Sequence, residues 1–305
     1  MKSQISAHKV IKTSFLVDLS DIVLSLSVAL ITGSAVMFTQ AMEGASDLLA
    51  SGLLFIGQKN SQKNNDKNHP FGYGREIYFW TMISALVTFT FTAVLSFILG
   101  YHRYQNPQPV RNIMLAFWIL VITFVTNAYS FSLSFRRLLG GRKLVKIIQI
   151  FYRSNLIETK TTLILDLMGT LASLLGLVAL LIYQLTGDFR FDGLGAMLIG
   201  GVLAVLALSI VAEVKDLLIG ISASPETEKL IRESTMEIST VNKILDLRTM
   251  LIGTDKILVN MEVNLKDSLT TDELEALIDK IKAKIKKEVP GVSHIQIELE
   301  SPDQP

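Results

Sequence analysis

Residues 37–57 read Met-Phe-Thr-Gln-Ala-Met-Glu-Gly-Ala-Ser-Asp-Leu-Leu-Ala-Ser-Gly-Leu-Leu-Phe-Ile-Gly. The stretch is long enough to cross a bilayer, which takes about 20 residues of helix. It carries no lysine or arginine, yet it holds two carboxylates, Glu43 and Asp47. Four residues apart, they share one face of a helix. A carboxylate at the centre of a bilayer costs roughly 2.5–3.5 kcal/mol on insertion scales, so such residues face a partner, a cavity or an ion.

Working outward, further runs of this length lie at about 14–35, 77–100, 112–135, 161–184 and 191–212. The expected architecture is an all-α bundle of six transmembrane spans. The chain is 50% hydrophobic over 305 residues, and the apolar share is concentrated before residue 214. The linkers alternate in charge. Lys2, Lys9 and Lys12 precede the first span. Lys59, Lys63, Lys67 and Arg75 follow the second, and Arg136, Arg137, Arg142, Lys143, Lys146 and Arg153 follow the fourth. The other loops carry few cations: Arg103 and Arg111 in one, Arg190 in another. Basic loops stay in the cytoplasm, so an even span number predicts both termini there. The start of the chain has no small-residue cleavage site behind it, which predicts no removed signal peptide.

Past Ser224-Pro225-Glu226 the pattern changes. Thr227–Ile238 predicts an amphipathic helix; 244–251 and 256–265 predict strands joined at Gly253-Thr254-Asp255. Thr271 is expected to cap a helix carrying Leu274, Leu277, Ile278, Ile281 and Ile285, ended by Pro290-Gly291. Alternation over 292–300 predicts a third strand. The expected organisation is a transmembrane domain over 1–214 and a C-terminal α/β domain (αββαβ, ferredoxin-like) over 215–305.

Composition narrows the function. Net charge is +1, which gives no pull toward nucleic acid. There is no cysteine, which removes disulfides, thiolate metal sites and cysteine nucleophiles. The four histidines are scattered and no region gathers a nucleophile, base and orienter, so an enzyme is not expected. The informative residues are Glu43 and Asp47 in the second span and Asp166 in the fifth, with Thr162 one turn earlier on the same face. Asp18 and Asp21 lie near the start of the first. Lys160, at the edge of the fifth span, is the nearest cation. Three intramembrane carboxylates repel one another, and a bound cation or protons resolve that. All-oxygen donors suit hard or borderline ions such as magnesium, manganese, calcium or ferrous iron. A structural role remains open for Asp18 and Asp21 as interfacial caps, and for Thr162 as a hydroxyl bonded to its own helix.

Several motifs then point one way. His69-Pro70-Phe71-Gly72-Tyr73-Gly74-Arg75-Glu76, Thr32-Gly33-Ser34 with Glu43-Gly44-Ala45-Ser46-Asp47, Asn106-Pro107-Gln108-Pro109-Val110, Asp246-Leu247-Arg248-Thr249 and Pro290-Gly291-Val292 follow in order along the chain. Together they resemble the cation diffusion facilitators, six-span divalent metal transporters. The resemblance implies a homodimer joined through the cytoplasmic domain and metal/proton antiport by alternating access; the absence of targeting signals points to a plasma or inner membrane. It implies a metal site made by Glu43, Asp47, Thr162 and Asp166, with Asp18 or Asp21 drawing metal in. Asp66 and His69 match positions that hold a second metal in some relatives, Tyr73 standing where a histidine is usual. Glu43 and Thr162 depart from the family's Asp/His pattern, which favours manganese or iron over zinc, with cobalt and cadmium also candidates for the cargo. No resident cofactor is expected. The alternative is a non-transporting dimer partner or metal sensor. Glu262 and Glu298 are a further oxygen pair, read first as a solvated sheet face; Gly72 and Gly74 are read as a tight turn packed on the third span.

Overall fold

The computed structural model describes residues 7–139, 157–254 and 256–301. They divide into two compact units: one of residues 1–58 and 79–215, the other of residues 59–78 and 216–305.

The first unit is helical. Its elements are α1 (Ala7–Thr32), α2 (Ala35–Ser61), α3 (Glu76–Gln105), α4 (Ile113–Leu139), α5 (Ile157–Thr186) and α6 (Arg190–Ile219). A π-helical stretch, Thr88–Val94, interrupts α3. The burial pattern is that of a protein dissolved in lipid. Leu30, Phe55, Ile98, Val125, Leu185 and Val205 are more than half exposed, whereas Gln40, Glu43, Thr88, Ser130 and Ser134 are buried. Apolar side chains face out because hydrocarbon is the solvent there, and polar groups turn inward to find partners. The chain is an integral, multi-pass membrane protein.

Among the described residues, four helices are long and apolar enough to cross a bilayer: α3, α4, Lys160–Thr186 of α5, and α6. Six were expected. Of α1 only Ile22–Thr32 enters this count, because side chains before it lie outside the described residues, and that part is apolar. In α2, Gln40, Glu43 and Asp47 dilute a 27-residue helix below the apolarity of the other four. These buried polar residues thus weaken the hydrophobic signal of their own helix.

Two kinds of contact hold the unit. A central cluster packs Val36 and Met37 of α2, Leu120 of α4, Met168 and Leu180 of α5 and Leu203 of α6. Along the α3–α6 seam, a Cβ on Gly100 would lie 2.6 Å from the Met197 backbone nitrogen, and one on Gly193 would lie 2.6 Å from that of Tyr104. Helices in lipid associate by close backbone approach, since there is little hydrophobic drive between them.

The second unit is the α/β one. Helix α7 (Pro225–Met236) begins at Ser224, whose hydroxyl accepts from the Thr227 N–H. Strands β1 (Val241–Gly253) and β2 (Lys256–Leu265) form an antiparallel hairpin. Helix α8 (Thr271–Glu288) crosses to β3 (Val292–Leu299), which pairs parallel with β2, giving the order β1-β2-β3. The cap of α8 is Thr270 rather than Thr271: its hydroxyl accepts from the Glu273 N–H while the Glu273 carboxylate accepts from the Thr270 N–H. Two adjacent threonines both fit the pattern, and the glutamate three residues on selects the first. Ile231, Val259, Met261, Ile281 and Ile285 form the interior.

The segment 59–78 belongs to this unit. Gly74 packs on the β1–β2 hairpin rather than on α3: a Cβ there would lie 2.4 Å from the Ile252 carbonyl oxygen, and one on Gly253 would lie 2.8 Å from the Gly74 Cα. The two glycines allow two backbones to touch. Phe71 sets its ring edge-on to His294, with centroids 5.4 Å apart. Gly74→Val is expected to undock the segment, at a cost in the range of overpacking, about 1–3 kcal/mol. Protease sensitivity of 59–75 in the full-length protein checks it: cleavage unchanged from wild type would refute the docking.

Candidate metal site and the polar interior

Glu43 and Asp47 both sit on the buried face of α2. The Glu43 Oε2 accepts from the Gln40 amide at 3.0 Å. On α5, Asp166 is part-buried and its Oδ2 accepts from the Ser134 hydroxyl of α4. Thr162 lies one turn before Asp166 and is also part-buried. Glycine 169, one turn after Asp166, brings the two carboxylate-bearing helices together. A Cβ at this position would lie 2.9 Å from the Asn127 Nδ2 of α4 and 3.0 Å from the Glu43 Oε1 of α2. Glu43 therefore reaches the face of α5 that carries Asp166.

Glu43 and Asp166 each accept a hydrogen bond from a neutral side chain in this arrangement. Among the described residues, no three His, Cys, Asp or Glu side chains gather closely enough to cage a metal. Gln40, Asn127 and Ser134 were not singled out from the sequence. Gln40 is three residues before Glu43, a helical spacing that offered a signal; Asn127 and Ser134 offered only their polarity inside an apolar run. The side chains of Asp18 and Asp21 lie outside the described residues, as do Arg142, Lys143, Lys146 and Arg153.

At the other candidate, Asp66 is already engaged. Its Oδ1 accepts from the backbone N–H groups of Asn68 and His69, at 2.9 and 2.7 Å, and its Oδ2 from the Tyr73 hydroxyl at 2.7 Å. The His69 Nδ1 lies 3.4 Å from the same carboxylate, and its ring packs on Tyr73 at 4.1 Å. The hydroxyl of Tyr73 and the two backbone donors hold the Asp66 carboxyl below its usual range. Tyrosine thus closes this turn by hydrogen bonding in the place of the expected histidine.

In the sheet, Asp246, Glu262 and Glu298 stand side by side in register across β1, β2 and β3. Desolvation, then the charges of Glu300, Asp246 and Glu298, push the Glu262 carboxyl above its usual range. A carboxyl raised in the folded state binds its proton more tightly there than when unfolded. Stability contributed by the protonated form is therefore lost as pH rises through the carboxylate range. Glu262→Gln is expected to raise the melting temperature of the full-length protein at pH 7, with the gain shrinking toward about pH 4, where glutamates protonate in both states. A gain that does not change with pH would refute the charge origin.

Two ion pairs were not legible in the sequence. Asp192, fully buried in the first turn of α6, accepts from the Ser34 hydroxyl at 2.6 Å and the Ala35 N–H at 2.7 Å. It also accepts from the Val36 N–H at 3.2 Å and from Arg103 Nε at 3.2 Å, while Arg103 Nη2 donates to the Gly33 carbonyl at 2.8 Å. The carboxylate of one helix thus caps the N-terminus of α2, where a negative charge is favoured. The second pair joins Lys160 of α5, whose Nζ donates to Glu213 Oε1 of α6 at 2.7 Å.

The chain thus sets buried acids inside apolar helices and follows them with a small αββαβ unit. The profile of the cation efflux transmembrane domain matches residues 11–219, and that of the cation efflux cytoplasmic domain matches residues 223–302. The chain belongs to the cation efflux, or cation diffusion facilitator, family, whose members are transporters and not enzymes. It is 24% identical over 307 residues to the mouse protein named proton-coupled zinc antiporter SLC30A9, mitochondrial; the match covers 88% of this chain and 54% of that one. It is 19% identical to metal tolerance protein C4 of Arabidopsis thaliana, over 89% of this chain and 68% of that one. The chain spans about half the length of the SLC30A9 relatives it matches. A solved MamM-CTD variant is 14% identical, with a TM-score of 0.24, and covers 26% of this chain and 94% of its own.

Proposed function

We propose that the chain is a secondary transporter that exchanges divalent metal cations for protons by alternating access. The observation that carries this is Glu43, Asp47 and Asp166 set on the inner faces of otherwise apolar helices, where an uncompensated carboxylate is costly. Glu43, Asp47 and Asp166 would take the metal, with the Thr162 hydroxyl adding a fourth oxygen. The same oxygens would accept protons when metal leaves, so exchange requires no separate machinery. Proton coupling is carried over from the name of the mouse relative. Zinc is not: it favours imidazole and thiolate donors, and the set here is oxygen. Manganese, iron or a similarly hard ion is the favoured cargo, drawn in by Asp18 or Asp21.

In this reading α1 and α2 complete six spans, the basic loops keep both termini in the cytoplasm, and residues 215–305 form a cytoplasmic domain that joins two copies of the chain. Thr162, a weak ligand, favours a second reading as a non-transporting partner. Purified protein in liposomes containing a pH-sensitive dye, challenged with manganese, iron, cobalt, zinc, cadmium and magnesium, separates the two. Metal uptake with a matching proton signal supports the carrier; no uptake of any metal by folded protein supports the partner.

A further inference from the structure

The middle of α4 buries polarity. Between Leu120 and Leu138 its buried positions are Thr123, Asn127, Ser130 and Ser134, spaced four, three and four residues apart and hence on one face. Its other face presents Trp118, Ile122, Val125 and Tyr129 outward. Small polar side chains also serve helix packing in a bilayer, but a hydroxyl or amide in apolar surroundings costs free energy unless it is bonded. The strip ends on the acids. Ser134 donates to Asp166, and the Asn127 Nδ2 and the Glu43 Oε1 both border the space that a Cβ on Gly169 would fill. Between them, the Ser130 hydroxyl is buried with no hydrogen-bond partner among the described residues.

We infer that α4 is a third wall of the metal site, with Ser134 as a positioning residue that holds Asp166 when no metal is bound, and with Ser134 and the neighbouring Asn127 helping to set which metal the acids accept. This rests on the transport reading above. The chemistry suits the task. A hydroxyl is one donor and two acceptors, and it rotates freely. Ser134 can donate to the Asp166 carboxylate in the metal-free site and turn a lone pair toward a cation once that carboxylate is engaged. The asparagine side chain likewise offers an amide donor on one side and a carbonyl acceptor on the other. Neither residue has to move its backbone, so the exchange of a neutral donor for an ion stays reversible, as a carrier requires. Adding an amide and hydroxyls to carboxylates makes the donor set harder still, which favours manganese over zinc.

The test uses full-length protein in liposomes, with Ser134→Ala, Ser134→Thr and Asn127→Ala compared with wild type for manganese and for zinc. KM and maximal rate are read separately across pH. Ser134→Ala and Asn127→Ala are expected to raise the manganese KM by roughly 10-fold or more, the scale of losing an outer partner of a metal ligand. They should also shift the pH profile and narrow the preference for manganese, while Ser134→Thr restores all three. Wild-type KM, pH profile and preference in both alanine variants would overturn the inference. If the wild type moves no metal, the transport reading fails by itself. Manganese binding to the purified protein then decides the inference: weaker binding in Ser134→Ala supports it, and unchanged or undetectable binding overturns it.

Discussion

Asp166→Ala is expected to abolish metal-driven proton movement while leaving the protein able to fold and insert. Asp166 lies within α5, and among the described residues its side chain accepts from the neutral Ser134 hydroxyl, so its removal strands no described cation. Folding should therefore suffer little. Transport should suffer more than the roughly 10–100-fold typical of an outer-sphere change, because a charge that compensates the metal is gone. Asp166→Asn keeps the shape and the hydrogen bond to Ser134 but not the charge, and is expected to be equally inactive. Uptake of manganese and the proton signal in liposomes measure both. Full activity in Asp166→Asn would remove this residue from the metal path.

Asp192→Ala has the largest expected effect on stability. The carboxylate satisfies three donors at the start of α2 and neutralises Arg103, whose side chain is only 13% exposed. Truncating it strands a largely buried guanidinium and frees two helix N–H groups at once. Breaking a buried pair by removing one partner costs about 3–5 kcal/mol. Much of that is the penalty for the abandoned charge, so the double variant Asp192→Ala/Arg103→Met should recover part of it. Thermal unfolding of the three variants in the same detergent checks this. Losses that simply add would show that the two side chains act independently.

Much of the architecture was legible in the sequence because the signals were local. Twenty-residue apolar runs and the switch of period after Pro225 follow from side chains a few positions apart, whereas the cap of α8 was read one residue late, at Thr271 instead of Thr270. Glu43, Asp47 and Asp166 announced themselves because a carboxylate in an apolar run contradicts its surroundings. The span count was the weaker reading for the same reason: the polar residues of α2 lower its hydrophobic signal.

By itself, then, the sequence determined the membrane class, the αββαβ order of the C-terminal unit and the presence of acids inside apolar helices. Only the tertiary structure decided which neutral groups hold those acids, that Asp192 caps a helix 157 residues away, that Gly74 docks on Gly253, and that the polar face of α4 turns toward Glu43 and Asp166. The physical reason is the same in each case. Such contacts join residues far apart in the chain through hydrogen bonds and close backbone approach, and neither hydropathy nor helical period carries information about which distant faces meet.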